Sequence, residues 1–267
     1  MLPISVIVVA RNAERTLTQC LEAIVRNCPA EIIVIDGNSD DRTLELAKIF
    51  TSKIFTDNGN GVSMAHQIGL EVATQEYISF IDSDIIITND ALPVMYDELR
   101  QKGLSNIQAT RLAADKKTYW ERAHAHHLKL WEHQNKSGIS ACVMDRKMAL
   151  CVGFDSKINI AGDDYDFLLR LRKRGFKTGT SSALVFHHHR SNFLDFARQR
   201  IWYGRGKAQL IKKYGFTKLD LWPLVSDTYQ VIQCVRKAQI SFIPYFIVDC
   251  VLQSAGIIKD ILKIKPR

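Results

Sequence analysis

Residues 77–84 read Tyr77-Ile78-Ser79-Phe80-Ile81-Asp82-Ser83-Asp84. Aromatic and β-branched residues dominate the first five positions, which is a strand pattern. The strand then closes on two carboxylates one residue apart, and a period of two sets Asp82 and Asp84 on the same side of the chain. Paired carboxylates are hard oxygen ligands, suited to Mg²⁺ or Mn²⁺ with substrate phosphates completing the shell. A solvated strand end has the same pattern, so the neighbouring segments must decide between the two.

Upstream, strand and helix patterns alternate. Ile4 to Ala10 is an apolar run of strand length, followed by Leu17, Leu21, Ile24 and Val25 at helical spacing. Ile32 to Ile35 repeats the strand and Thr43 to Phe50 the helix. A short strand from Lys53 to Thr56 leads through Gly59-Asn60-Gly61 into a helix carrying Met64, Ile68, Leu70 and Val72. Such alternation predicts a mainly parallel sheet with helices on both faces, which binds ligands at the carboxyl ends of its strands. Three of those ends are polar: Ala10-Arg11-Asn12, Asp36-Gly37-Asn38-Ser39-Asp40-Asp41 and Asp82-Ser83-Asp84. Neither Gly-x-Gly-x-x-Gly after the first strand nor Gly-x-x-x-x-Gly-Lys-Ser/Thr occurs, which disfavours a dinucleotide fold and a P-loop.

The 267 residues are 46% hydrophobic, enough for a full core and too apolar for general disorder. The chain carries 36 basic and 28 acidic residues, and the stretch from Arg190 to Lys218 is densely basic with Asp195 as its one acid. A basic segment implies an anionic partner such as a phosphate-bearing substrate, anionic lipid or nucleic acid, unless it is only a solvated helix face. Cysteines 20, 28, 142, 151, 234 and 250 form no Cys-x-x-Cys and no evident disulfide framework, as expected of reduced thiols. Met1-Leu2-Pro3 runs straight into a strand pattern without a basic n-region, so no signal peptide is expected and the cytoplasm is the expected compartment.

Thr118 to Gln134 reads as a helix bearing His124, His126, His127 and His133; His124 and His127 share a face but lack a carboxylate or cysteine at ligand spacing. Farther on, residues 162–175 read Gly-Asp-Asp-Tyr-Asp-Phe-Leu-Leu-Arg-Leu-Arg-Lys-Arg-Gly. Asp163 and Asp164 suit the positive end of a helix that Gly175 would close. Three acids in four residues exceed what capping needs, because crowding raises each carboxylate's pKa, and an acid at a helix entrance is a candidate general base.

Together these segments resemble the family-2 glycosyltransferases over about residues 3–207. Ser5 to Asn12 is similar to the family's opening strand, and Asp36-Gly37-Asn38-Ser39-Asp40-Asp41-Arg42-Thr43 to its base-reading Asp-Asp-Gly-Ser-x-Asp-x-Thr segment. Asp82-Ser83-Asp84 stands where the family has its Asp-x-Asp metal motif. Val152-Gly153-Phe154-Asp155 resembles Gly-Gly-Phe-Asp, and Gly162-Asp163-Asp164-Tyr165-Asp166 resembles Gly-Glu-Asp-x-Asp. Three departures stand out: Gly37 for an Asp, Asp163 for a Glu, and His66-Gln67 where an Arg-Asn pair is common.

The resemblance implies an α/β fold of the nucleotide-diphosphosugar transferase (GT-A) type, with a mainly parallel central sheet flanked by helices and a helical C-terminal extension. It implies a catalytic domain over 1–215 and an extension over 216–267. The implied reaction is inverting, metal-dependent transfer of a sugar from a UDP- or GDP-linked donor to a hydroxyl of a glycan or lipid-linked acceptor in cell-envelope or polysaccharide synthesis. Asp164 is the implied catalytic base. Ala10, Asn12, Asp36, Asp82 and Ser83 would line the donor, and Asp163 and Asp155 the acceptor site. A divalent cation, Mn²⁺ or Mg²⁺, would be held by Asp84, with His187 of the run Phe186-His187-His188-His189 completing its shell. Arg200 and Arg205 would clamp a diphosphate, which planar guanidiniums suit. Processive members carry Gln-x-x-Arg-Trp; here Gln199-Arg200-Ile201-Trp202 breaks that spacing, which favours non-processive transfer.

Rival readings are a sugar nucleotidyltransferase, which would carry a Gly-rich basic loop in place of Arg11-Asn12-Ala13-Glu14, and a non-catalytic binder. No recognisable nucleic-acid module is present, so nucleic acid is not an expected partner. The tail from Ile240 to Ile258 has Asp249 as its one formal charge, and Asp249, Gln253 and Asp260 mark a polar stripe on an apolar helix. Three placements stay open for it: in a membrane interface, across a membrane, or packed on the domain. The basic stretch upstream favours the first, with the protein peripheral at the cytoplasmic face of the cell membrane.

Overall fold

The computed structural model describes residues 1–131, 138–215, 229, 231–237 and 239–262, so His133, Lys218 and much of the expected start of the extension lie outside the described residues. Two compact units emerge: 1–114, 134–159 and 163–188 form the first, and 115–133, 160–162 and 189–267 the second. The second thus takes in residues well before 216.

The first unit is built on an eight-stranded sheet. Strands β1 (Leu2–Ala10), β2 (Pro29–Asp36), β3 (Ile54–Thr56) and β4 (Tyr77–Asp82) lie in the order β3-β2-β1-β4, all parallel. Their apolar runs are continuous because both faces are covered. Val6 and Val8 of β1 face one core with Leu17, Leu21 and Ile24 of helix α1 (Leu17–Arg26). Ile7, one residue out of phase, joins Ile33, Ile35 and Phe80 in the opposite core. Helices α2 (Thr43–Ala47) and α3 (Val62–Val72) complete the crossovers.

Beyond β4 the sheet becomes mixed. It continues through β7 (Cys142–Asp145), β6 (Asn106–Ala113) and β8 (Thr178–His187) to β5 (Ile85–Ile87) at the far edge. The pairs β4–β7, β7–β6 and β8–β5 are antiparallel, and β6–β8 is parallel. The sheet is therefore parallel in the half that the alternating pattern covers and mixed in the rest. Helix α4 (Ala91–Gln101) packs on the first core, while α6 (Arg146–Val152) and α7 (Asp163–Lys173) cover the second.

The described part of the second unit is mostly helical. It holds α5 (Tyr119–Trp131), α8 (Phe193–Tyr214), a helical stretch at 231–236, a single turn at Ile240–Phe242, and α9 (Ile243–Leu262). Pro244 sits in the first turn of α9, where its missing N–H breaks no helical bond. Ala123, Phe196, Cys234, Tyr245 and Phe246 form the core, with the Trp120 ring stacked on Phe196 at 4.6 Å. The polar stripe of α9 points inward: Asp249, Gln253 and Asp260 are all buried. Arg200 Nε lies 3.3 Å from Asp249 and Arg205 Nε 3.1 Å from Asp260, while the Lys207 ammonium donates to the Gln253 side-chain oxygen. Gly204 and Gly256 let the two backbones touch, since a Cβ at either would collide with a carbonyl oxygen of the facing helix.

Candidate active site

The carboxyl ends of β1, β2 and β4 meet where the chain order turns back on itself, the position at which open α/β sheets bind ligands. Ala10 lies opposite Asp36, and Val9 opposite Asp82. Past the strands, the two loops tie to each other. Gly37 N–H donates to the Ala10 carbonyl at 2.8 Å, Asn12 N–H to Ser39 Oγ at 3.0 Å, and Asp40 N–H to Asn12 Oδ1 at 2.9 Å. Asn12 and Asn38 both adopt positive φ, which asparagine tolerates better than most residues. This braced loop holds Asp36, whose Oδ2 accepts from Ser39 N–H at 3.1 Å. Its Oδ1 is buried without a hydrogen-bond partner although the residue is only 7% exposed. An orphan buried acceptor is costly, and a ligand N–H would satisfy it.

Asp82 ends β4, and Ser83 and Asp84 turn the chain into β5. Burial and the neighbouring Asp84 charge raise the Asp82 pKa, against the opposing pull of His187, a Ser140 hydrogen bond and His66. Strand pairing brings in the histidine: Ile85 lies opposite His187 across the β5–β8 ladder, and His188 N–H donates to the Asp84 carbonyl at 2.9 Å. His187 Nε2 then stands 3.1 Å from Asp84 Oδ1. Adjacent ligands of an octahedral divalent ion sit about 3 Å apart, so the pair fits two positions of such a shell. Among the described residues no group of three or more His, Cys, Asp or Glu is placed to hold a metal ion.

At the entrance of α7 the three acids have different surroundings. Asp163 is buried, and its Oδ2 lies 2.7 Å from His66 Nδ1 of α3. Burial alone would lower the His66 pKa; the Asp163 charge overrides it and the net shift is upward. The His66 ring stacks on Phe154 at 5.1 Å and meets Phe80 edge-on at 4.9 Å. Asp166, fully buried, pairs with Arg170 at 2.6 Å. Asp164 alone of the three is exposed, its Oδ1 accepting from Tyr165 N–H at 2.7 Å. Although the side chain is exposed, partial loss of water beside the protein, and secondarily the Asp163 charge, push its pKa up to about 6, with the Tyr165 N–H and Arg111 of β6 opposing. A carboxylate tuned toward neutrality and open to solvent can act as a general base. Asp155 closes the preceding turn by accepting from Lys157 N–H at 2.9 Å.

The structure brings Ala10, Asn12 and Asp36 together, and Asp82, Ser83, Asp84 and His187 together. Asp163 turns inward to His66, and in the second unit Arg200 and Arg205 have Asp249 and Asp260 as partners of their own. His66, Ser140 and Arg111 join the site from outside the acidic motifs of the sequence. The hint at His66 was its departure from the common Arg-Asn pair, and at Arg111 a lone charge inside a strand.

Comparison with known proteins accords with this geometry. The family described as Glycosyl transferase family 2 matches residues 5–154. The chain belongs to glycosyl transferase family 2. Among curated relatives of this glycosyltransferase, an uncharacterized glycosyltransferase of Haemophilus influenzae is 27% identical over 86% of the chain and 93% of its own length. A Methanococcus voltae protein, a dolichyl N-acetyl-α-D-glucosaminyl phosphate 3-β-D-2,3-diacetamido-2,3-dideoxy-β-D-glucuronosyltransferase, is 26% identical over 82% of the chain and 77% of its own. Among solved structures, glucosyl-3-phosphoglycerate synthase from Mycobacterium tuberculosis in complex with Mn²⁺, UDP and phosphoglyceric acid superposes with a TM-score of 0.61. At 18% identity over 80% of this chain and 79% of that one, it shares the GT-A fold.

Proposed function

We propose that this glycosyltransferase moves a sugar from a nucleoside diphosphate to a hydroxyl in one inverting displacement. The acceptor oxygen bonds to the anomeric carbon as the bond from that carbon to the diphosphate oxygen breaks; the acceptor proton passes to Asp164, and the electron pair leaves with the diphosphate. The observation that carries this reading is Asp164, exposed at the entrance of α7 while Asp163 and Asp166 are engaged inside. Asp36 Oδ1 accepts from the nucleobase, and Ala10 and Asn12 shape the same pocket. Asp82 and Ser83 face the ribose, and Asp155 borders the acceptor side. Mn²⁺ or Mg²⁺, held by Asp84 and His187, would supply positive charge to the departing diphosphate. Arg200 and Arg205 are not assigned to the diphosphate, because each already neutralises a buried carboxylate.

The solved relative with UDP supports a uridine donor, with guanosine as the alternative, and the dolichyl-phosphate-linked name of the Methanococcus relative supports a lipid-linked or glycan acceptor. Synthesis of an envelope polysaccharide by single, non-processive additions at the cytoplasmic face of the membrane fits both. Thermal-shift titration with UDP and GDP, with and without Mn²⁺, tests the donor. Transfer to water or a small alcohol, read by anomeric NMR, tests the stereochemistry. Asp164→Asn is expected to keep the nucleotide shift and lower transfer by about 10²–10⁴-fold; turnover at the wild-type rate, or a product of retained configuration, sinks the mechanism.

A further inference from the structure

Helix α9 is inverted relative to an ordinary surface helix. Its acids and glutamine are buried against α8, whereas Ile240 of the preceding turn and Ile247, Val251, Ile258 and Leu262 are exposed. Their spacings of seven, four, seven and four residues keep them on one side of a 3.6-residue helix. Pro244 and Ala255 fill the gaps in this row, and Lys259 is the one exposed charge on α9. The segment Ile240–Leu262 is long and apolar enough to cross a membrane by length and composition. We propose that α9 instead lies in the plane of an anionic bilayer surface, sunk into it along this outward row.

Charge selects the occupant. Among the described residues the second unit carries 14 Lys and Arg against 5 Asp and Glu, a surplus of nine, whereas the first unit has 17 against 20. The whole positive excess among them thus belongs to the unit that bears the apolar row, the combination by which amphipathic helices bind anionic lipid. A second copy on the same face would set one surplus of nine against another. Crossing the bilayer would carry Asp249 and Asp260 into hydrocarbon together with their partners Arg200 and Arg205 on α8, a helix too charged to follow. Lying flat leaves those pairs on the water side and gives the row a hydrocarbon partner. Attachment to a membrane would suit the lipid-linked acceptor proposed above, and in that respect the inference rests on the proposed function.

Sedimentation of the full chain with phosphatidylcholine vesicles, with or without about a third phosphatidylglycerol, tests it. Binding is expected to the anionic vesicles, to weaken with salt, and to fall about tenfold or more in Val251→Glu and Ile258→Glu, which change exposed positions only. Leu44→Glu, an exposed apolar site in the first unit, should bind as wild type. Equal binding to neutral vesicles, or indifference to the α9 variants, overturns the proposal. Retention through an alkaline carbonate wash overturns it in favour of spanning. A dimer in sedimentation velocity that the same variants break, with no vesicle binding, overturns it in favour of a second copy. The UDP thermal shift, measured on the same samples, keeps the two proposals apart: vesicle binding without a nucleotide shift discredits the donor site alone, and the reverse discredits the membrane face alone.

Discussion

Three aspartates within four residues separate by environment. Asp163 has a histidine, Asp166 an arginine, and Asp164 solvent. The raised pKa of Asp164 has two consequences. As a base it must be ionised, so kcat/KM should climb with pH through about 6, a limb that Asp164→Asn removes; a pH profile of transfer checks it. Because its folded pKa exceeds the unfolded value of 3.8, the folded state holds more protons between those values, and stability falls as pH rises across them. Asp164→Asn should therefore stabilise the fold at pH 8 relative to pH 4, by about 1 kcal/mol once solvent screening of the open carboxyl is allowed for. Melting curves of both proteins at the two pH values decide it. The acids were legible in the sequence as a crowded group, but their division of labour was not. Asp163 and His66 are far apart in the chain, and only packing of α3 against α7 shows which carboxylate is neutralised.

At the scale of elements, the α8–α9 pair depends on two glycines. Gly204→Ala should lower stability by about 1–3 kcal/mol, since its Cβ has no room beside the Gln253 carbonyl and the backbones must separate. Exposed Ala255→Ser should be nearly neutral, and denaturant midpoints of the two variants test the contrast. The polar stripe of α9 was visible as a periodicity, yet periodicity says only that a helix has two faces. Which face turns inward is set by the partner, here Arg200, Arg205 and Lys207, whose basic run reads equally well as a ligand clamp. The strands divide in the same way. β1, β2 and β4 are buried on both faces and stand out as apolar runs, whereas β5 and β7 are three and four residues long and β6 contains Asn106, Gln108, Thr110 and Arg111. Short or polar strands are held by their neighbours in the sheet rather than by local preference.

At the scale of the molecule, one unit holds the acids that perform the proposed chemistry and the other holds the excess positive charge. The parallel half of the sheet supplies Asp36 and Asp82, and the mixed half supplies His187. Asp84 and His187 meet because three residues of β5 pair with β8 at the outer edge of the sheet. An edge strand has a neighbour on one side only, and so short a ladder opens more readily than the interior strands. Heating should therefore end catalysis before it ends the fold. Activity is expected to decay, and Ile85–Ile87 amides to exchange with solvent, several degrees below the midpoint of global unfolding, and to recover on prompt cooling; coincident curves would show that this border is as durable as the centre.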